Sequence, residues 1–76
     1  MAFIPSETKK TQALDYDGSN NLIYQGQAAP GSSKAAAVWK ITSFTYSGGN
    51  LTDIQWADGN LNEDNIWNDR VSLSYS

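Results

Sequence analysis

Hydrophobic and polar residues alternate along most of this chain at the period of a β-strand. Near the start, Leu14 and Tyr16 share one face of a potential strand, while Ala13, Asp15 and Asp17 share the other. Successive side chains of a strand point to opposite faces of the sheet, so this period of two indicates strands and not helices. We expect strands over five ranges: 11–17, 22–27, 36–47, 51–57 and 71–75.

Turn-forming residues separate these strands. Gly and Asn, which accept positive φ at little cost, cluster at residues 18–21 and 47–50, and Pro30-Gly31 marks a loop over residues 28–33. These signals predict antiparallel hairpins. A weak echo between residues 16–22 and 46–51 is typical of two similar turns and falls short of a repeat.

The longest predicted strand changes the phase of its alternation. Trp39 and Ile41 share one face, whereas Phe44 and Tyr46 share the other. A bulge or bend near Thr42-Ser43 would carry the apolar side chains across the sheet in this way.

Residues 58–70 form a polar segment rich in Asn and Asp, for which we predict one helical turn over residues 63–68 with Asn62 as its N-cap. The fold class that follows is all-β: a small antiparallel sheet, sandwich or barrel-like, of about five strands with at most one short helical turn. Residues 11–76 are interpreted as a single β domain, and residues 1–10 as an extended N-terminal arm.

Composition limits how this domain can be stabilised and what it can catalyse. The 76 residues include no Cys and no His, so disulfides, thiol nucleophiles, imidazole bases and zinc held by His or Cys are all excluded. A domain this small has a marginal core, and contact with other copies or with a larger body is the remaining common route to stability. We therefore expect a homo-oligomer or multi-copy assembly, no enzymatic activity and no cofactor.

The charge and hydropathy of the chain exclude two further classes of partner. Eight acidic residues oppose five dispersed basic ones, giving a net charge of −3, whereas binding to a phosphate backbone needs clustered cations. No apolar run approaches the ~20 residues that cross a bilayer. Nucleic acid and membrane are not expected as partners.

The polar segment offers one possible ion site. Oxygen-bearing side chains fall at positions 1, 3, 5, 7 and 12 of a potential calcium loop, namely Asp58, Asn60, Asn62, Asp64 and Asp69. The glycine that such a loop needs at position 6 is replaced by Glu63. We interpret the segment as a structured polar loop without a metal, pinned by Arg70 through Asp64 or Asp69, with calcium as the alternative.

The aromatic residues divide into core and contact candidates. A small domain fills its core with a few large side chains, so Trp39, Trp56 and Trp67 are predicted to be core aromatics. Five apolar residues are left as predicted interface contacts, of which the first two would insert into a neighbouring subunit: Phe3, Ile4, Tyr24, Tyr46 and Tyr75.

Several motifs over residues 14–76 resemble those of short proteins encoded by tailed bacteriophages. The motifs are Ala29-Pro30-Gly31, Ala36-Ala37-Val38-Trp39-Lys40-Ile41, Phe44-Thr45-Tyr46, Ile54-Gln55-Trp56-Ala57-Asp58-Gly59-Asn60, Asp64-Asn65-Ile66-Trp67-Asn68-Asp69-Arg70 and Ser72-Leu73-Ser74-Tyr75. The Trp-Ala-Asp-Gly-Asn and Asp-Asn-Ile-Trp pieces are the most specific. The resemblance carries over no catalytic or ligand residue.

What this resemblance implies is a structural component of the virion, such as a head decoration, neck or tail-associated subunit. It would be synthesised in the host cytoplasm and would contact other phage structural proteins. The negative charge suits an outer surface better than a lumen that faces DNA. Two alternatives stay open: a module that binds a host surface or carbohydrate through exposed aromatics, and a regulator that acts inside the host.

Overall fold

The computed structural model describes residues 10–76, which form an antiparallel sheet with one short 3-10 helix. The predicted small all-β fold is therefore confirmed. Its strands, in chain order, are β1 (Thr11–Tyr16), β2 (Leu22–Ala28), β3 (Ala37–Ser47), β4 (Asn50–Trp56) and β5 (Asn65–Ile66). The first four are neighbours in the order β1-β2-β3-β4, and β5 pairs with the beginning of β3.

The first hairpin is closed by Asp17. One oxygen of its carboxylate accepts hydrogen bonds from the backbone N–H groups of Ser19 at 2.8 Å and Asn21 at 3.0 Å. Asn20 takes the positive φ of 65° that the turn needs and that Asn tolerates. The polar cluster at residues 17–21 thus explains why β1 and β2 pair in this register.

The same hydrogen bonds make the hairpin sensitive to acid. Backbone donation from Asn21 and Ser19 lowers the pKa of Asp17 below its usual 3.8. A depressed folded-state pKa stabilises the fold above the unfolded-state value, and this stabilisation is lost as pH falls through the folded-state pKa. We expect a carboxyl titration by NMR to place the Asp17 midpoint below 3.8, and Asp17→Asn to remove this group's share of the acid sensitivity. A midpoint at or above 3.8 would contradict this account of the turn.

The second hairpin places its irregularity away from the predicted position. Gly48 and Gly49 take positive φ values of 60° and 87°, the pair of conformations that joins two strands tightly. The register between β3 and β4 shifts between Thr45 and Tyr46, whereas pairing across Thr42 and Ser43 is regular, so the predicted bulge near Thr42-Ser43 is wrong. Phe44 and Trp39 therefore lie on opposite faces of the sheet by regular alternation, and β3 carries apolar side chains on both faces.

The C-terminal segment also differs from the prediction. The helical turn is a 3-10 helix over Trp67–Ser72, and Ile66 precedes it with no side-chain cap, so the prediction of residues 63–68 capped by Asn62 is wrong. No strand covers residues 71–75, where one isolated bridge joins Tyr75 to Ala57 and Val71 is 74% exposed. The reason is that Trp67 packs over the sheet, and only the last three residues return to the end of β4, where Ser76 and Trp56 exchange two backbone hydrogen bonds at 3.1 Å.

This C-terminal segment covers one face of the sheet and encloses the core. Trp39 and Ile41 on β3 are 0% and 1% exposed, and Trp67 from the 3-10 helix lies against them at 4%. The indole N–H of Trp39 donates to the backbone oxygen of Ser33 at 2.9 Å, which satisfies its one polar atom. The layer over the sheet is thus a single irregular segment and not a second sheet, and it covers one face only.

Candidate interaction surface

The other face of the sheet has no covering layer among residues 10–76. Its side chains follow from the strand register, because paired residues project to the same side and alternate along each strand. We call this side the open face; it comprises Gln12, Leu14, Gln25, Gln27, Lys40, Thr42, Phe44, Ile54 and Trp56. None of these residues is buried, and Leu14 and Ile54 are 50% and 45% exposed.

Seven open-face residues line a shallow groove of about 300 Å³. They are Gln25, Gln27, Lys40, Thr42, Phe44, Ile54 and Trp56. Cross-strand pairing orders them from end to end: Gln27 lies opposite Lys40, Trp56 lies opposite Thr42, and Ile54 lies opposite Phe44. The groove therefore has a polar end at Lys40 and an apolar end at Phe44 and Ile54.

The polar end of the groove carries one positive charge. The lining contains Lys40 but no carboxylate. The ion pairs between described residues join Lys10 to Glu63 and Arg70 to Asp15, and neither involves Lys40. A ligand with one carboxylate near an apolar or aromatic group would complement this arrangement.

The three tryptophans do not share one environment. Trp39 and Trp67 lie in the core with ring centroids 6.0 Å apart. Trp56 is only partly buried and lies in the groove on the opposite face, so its predicted core position is wrong. The register causes this difference, because Trp56 pairs with Thr42, and Thr42 alternates with the buried Ile41.

The three tyrosines predicted as interface contacts are held inside their own chain. Tyr24 lies on the core face with its ring 5.7 Å from that of Tyr75. The hydroxyl of Tyr75 donates to the backbone oxygen of Arg70 at 2.7 Å, and burial raises the pKa of this phenol. The hydroxyl of Tyr46 donates to the backbone oxygen of Leu22 at 2.8 Å.

All three tyrosines are partly buried by packing within the chain, and their role as interface contacts stays a prediction. The other two predicted contacts, Phe3 and Ile4, lie outside the described residues, as does the arm up to residue 9.

The polar loop is organised by its own hydrogen bonds. The Asn60 side-chain oxygen accepts from the backbone N–H of Asn62 at 2.9 Å, and Asp58 takes a positive φ of 60°. Within residues 10–76, no group of three acidic side chains comes together in a way that could hold a metal ion. The hydrogen bond at Asn60 and the turn at Asp58 make the loop a structured connection between β4 and β5.

Arg70 does not pair with Asp64 or Asp69, so that prediction is wrong. Its Nε donates to the Asp15 carboxylate on β1 at 2.9 Å, and its Nη1 donates to the backbone oxygen of Trp67 at 3.3 Å. The guanidinium also lies 4.7 Å from the Trp67 ring centroid. Asp15 shares the core face with Ala13, so Arg70 ties the C-terminal segment to the edge strand β1.

Substitution of Arg70 is expected to cost more stability than substitution of the exposed Lys10. Arg70→Lys keeps the charge but loses the planar contact with Trp67 and one of the two hydrogen bonds, which we expect to cost about 1 kcal/mol. Lys10→Ala removes a half-exposed pair and should cost no more than about 0.5 kcal/mol. Urea unfolding of both variants measures the difference, and equal losses would contradict this role of Arg70.

Sequence reasoning missed the residues that make the groove. Gln25, Gln27 and Lys40 are polar residues of β2 and β3, and polar residues on a strand do not by themselves indicate a groove. The signal was present, because Lys40, Thr42 and Phe44 alternate regularly with Trp39 and Ile41. Sequence reasoning also missed Asn65, whose buried side-chain amide donates to the backbone oxygen of Trp39 at 3.4 Å.

Comparison of the chain with known protein families, with curated protein sequences and with solved structures gives no match. No helix over residues 10–76 is long and apolar enough to cross a membrane. The geometry of the open face and the sequence motifs are accordingly the basis for a functional proposal.

Proposed function

We propose that this chain is a structural component of a bacteriophage particle, a head decoration, neck or tail-associated subunit, and that it acts through protein–protein contacts. The observation that supports this most strongly is the open face, where Phe44, Ile54 and Trp56 lie in a groove that no part of residues 10–76 covers. An aromatic and aliphatic cluster on a bare sheet face is typical of a surface that another protein buries.

The stability of the domain supports the same proposal. A five-stranded sheet with one covered face buries little apolar surface per residue, and the sequence supplies no Cys or His for a staple. Burial of the second face by other subunits would add what a domain of this size lacks. The motif resemblance supplies the phage context of the proposal.

Mass spectrometry of purified particles, from the phage that encodes this chain, tests the proposal. We expect peptides of the chain to co-purify with the particle through a density gradient, in a fixed stoichiometry to a known structural protein. Finding the chain only in infected-cell lysate, and not in particles, would contradict the proposal and favour a regulator inside the host.

A host-surface or carbohydrate-binding module is the second candidate, and one observation favours it. The groove places the rings of Trp56 and Phe44 beside the side-chain amides of Gln25 and Gln27, a combination that suits stacking and hydrogen bonding to a sugar. A glycan array would show binding that Trp56→Ala abolishes and that Tyr16→Ala, an exposed aromatic outside the groove, leaves intact. No binding to any glycan would count against this candidate.

A further inference from the structure

We infer that the groove of the open face receives the N-terminal segment of a second copy of this chain, with Phe3 in the apolar end and Glu7 opposite Lys40. This inference rests on the proposed function and names the contact by which copies would assemble. The occupant is a segment of stated chemistry: Phe3, Ile4 and Pro5 followed by Ser6 and Glu7.

The spacing of the segment matches the spacing of the groove. Phe3 and Glu7 are four residues apart, and in an extended chain such residues project to the same side. Lys40 and Phe44 are also four residues apart on one face of β3. At about 3.3 Å per residue both separations are about 13 Å. An extended segment can thus place its carboxylate at the lysine and its aromatic ring at the apolar end together.

The charges of the two surfaces are complementary. Lys40 has no carboxylate beside it in the groove lining, and the described residues offer it no ion pair. Glu7 is the one carboxylate among the first ten residues. A single salt bridge beside an apolar contact fixes the register of a docked segment more than it adds affinity.

The direction of the strands favours a second copy over the segment's own groove. β1 is antiparallel to β2, which is antiparallel to β3, so β1 and β3 run the same way. The chain that precedes Thr11 thus leaves the sheet at the end where Lys40 lies, and entry into its own groove would need a full reversal of direction.

The sequence before Thr11 offers no such reversal near the sheet. Residues 7–10 are Glu-Thr-Lys-Lys, without the Gly, Pro, Asn or Asp that reversals use. Lys10 is also held by its ion pair with Glu63 at 3.0 Å. A turn at Pro5 would come too late, because Phe3 lies only two residues before it, about 7 Å of extended chain, and cannot return to Phe44. The segment can instead reach a neighbouring copy.

Charge reversal on the full-length chain tests the contact, with sedimentation velocity as the measurement. We expect the wild-type chain to self-associate, and Lys40→Glu and Glu7→Lys each to weaken association about tenfold, equivalent to about 1.4 kcal/mol. An equal mixture of the two variants should restore association to within about threefold. In that mixture, Glu7 of the Lys40→Glu variant can pair with Lys40 of the Glu7→Lys variant. The two reversed charges can likewise pair with each other.

One control and one further test variant accompany the mixture. Lys34→Glu reverses an exposed lysine outside the groove and should leave association unchanged. Phe3→Ala should weaken association by about thirtyfold, the effect expected of an aromatic anchor in a pocket. Near-ultraviolet circular dichroism checks that every variant keeps the wild-type fold.

Three results would overturn the inference: a wild-type chain that stays monomeric at millimolar concentration, single reversals that do not weaken association, or a mixture that fails to restore it. A monomer would also be the result if the segment occupied its own groove. These failures are distinguishable from failure of the proposed function, because the chain's presence in purified particles is measured independently.

Discussion

Replacing Gly26 by alanine is expected to lower the free energy of unfolding by about 3 kcal/mol, and the melting temperature by more than about 10 °C. A Cβ at this position on β2 would lie 2.6 Å from Cε3 of Trp67 and 3.0 Å from Cε3 of Trp39. Both indoles are buried and cannot move aside without opening the core. The C-terminal segment, which carries Trp67, would therefore lose its contact with the sheet.

Gly18→Ala is the matched control for this substitution. No atom lies within 4 Å of the position that its Cβ would occupy, and Gly18 has no positive φ. Alanine there should be neutral or slightly stabilising, since it reduces the freedom of the unfolded chain. Thermal unfolding of both variants gives the comparison. A Gly26→Ala variant as stable as Gly18→Ala would mean that the two indoles do not meet over β2.

The second large effect is expected at Trp39, in contrast to Trp56. Trp39→Ala removes a fully buried indole and its hydrogen bond to Ser33, a loss of about 3–5 kcal/mol that is comparable to the whole stability of a domain this size. Trp56→Ala removes a partly buried indole from the open face and should cost about 1 kcal/mol.

Urea unfolding, followed by far-ultraviolet circular dichroism, measures this contrast. If Trp39→Ala does not fold, Trp39→Phe keeps the core filled and should still be less stable than Trp56→Phe. Equal losses at Trp39 and Trp56 would contradict the assignment of the two residues to opposite faces.

Local signals were sufficient to predict the hairpins of this fold. Gly and Asn at residues 18–21 and 48–50 set turns whose chemistry lies within a few residues, and the alternation over residues 37–47 identified the central strand. These features depend on backbone conformation at single positions, which residue type strongly limits.

The placement of the C-terminal segment was not predictable in the same way. Val71, Leu73 and Tyr75 alternate like a strand, yet residues 67–72 form a 3-10 helix because Trp67 inserts over Gly26. That contact joins residues 41 positions apart in the sequence. Tertiary burial of one indole outweighs the local preference for a strand.

The groove was missed for a related reason. Apolar residues on both faces of β3 were interpreted as a change of phase, which assumes that a sheet has one apolar face. Phe44, Ile54 and Trp56 are instead the apolar part of the second face. Aromatic residues on both faces of a strand are themselves a signal that both faces are to be covered.

The central claim is that the open face is bare in the monomer and becomes covered when copies meet. A concentration series of ¹⁵N-indole NMR spectra on the full chain tests it most directly, since the three tryptophans report separately once each signal is assigned by Trp→Phe substitution. We predict that the Trp56 indole signal shifts as the concentration rises, while the signals of Trp39 and Trp67 stay in place. Shifts of equal size at all three indoles, or none at Trp56, would contradict the claim.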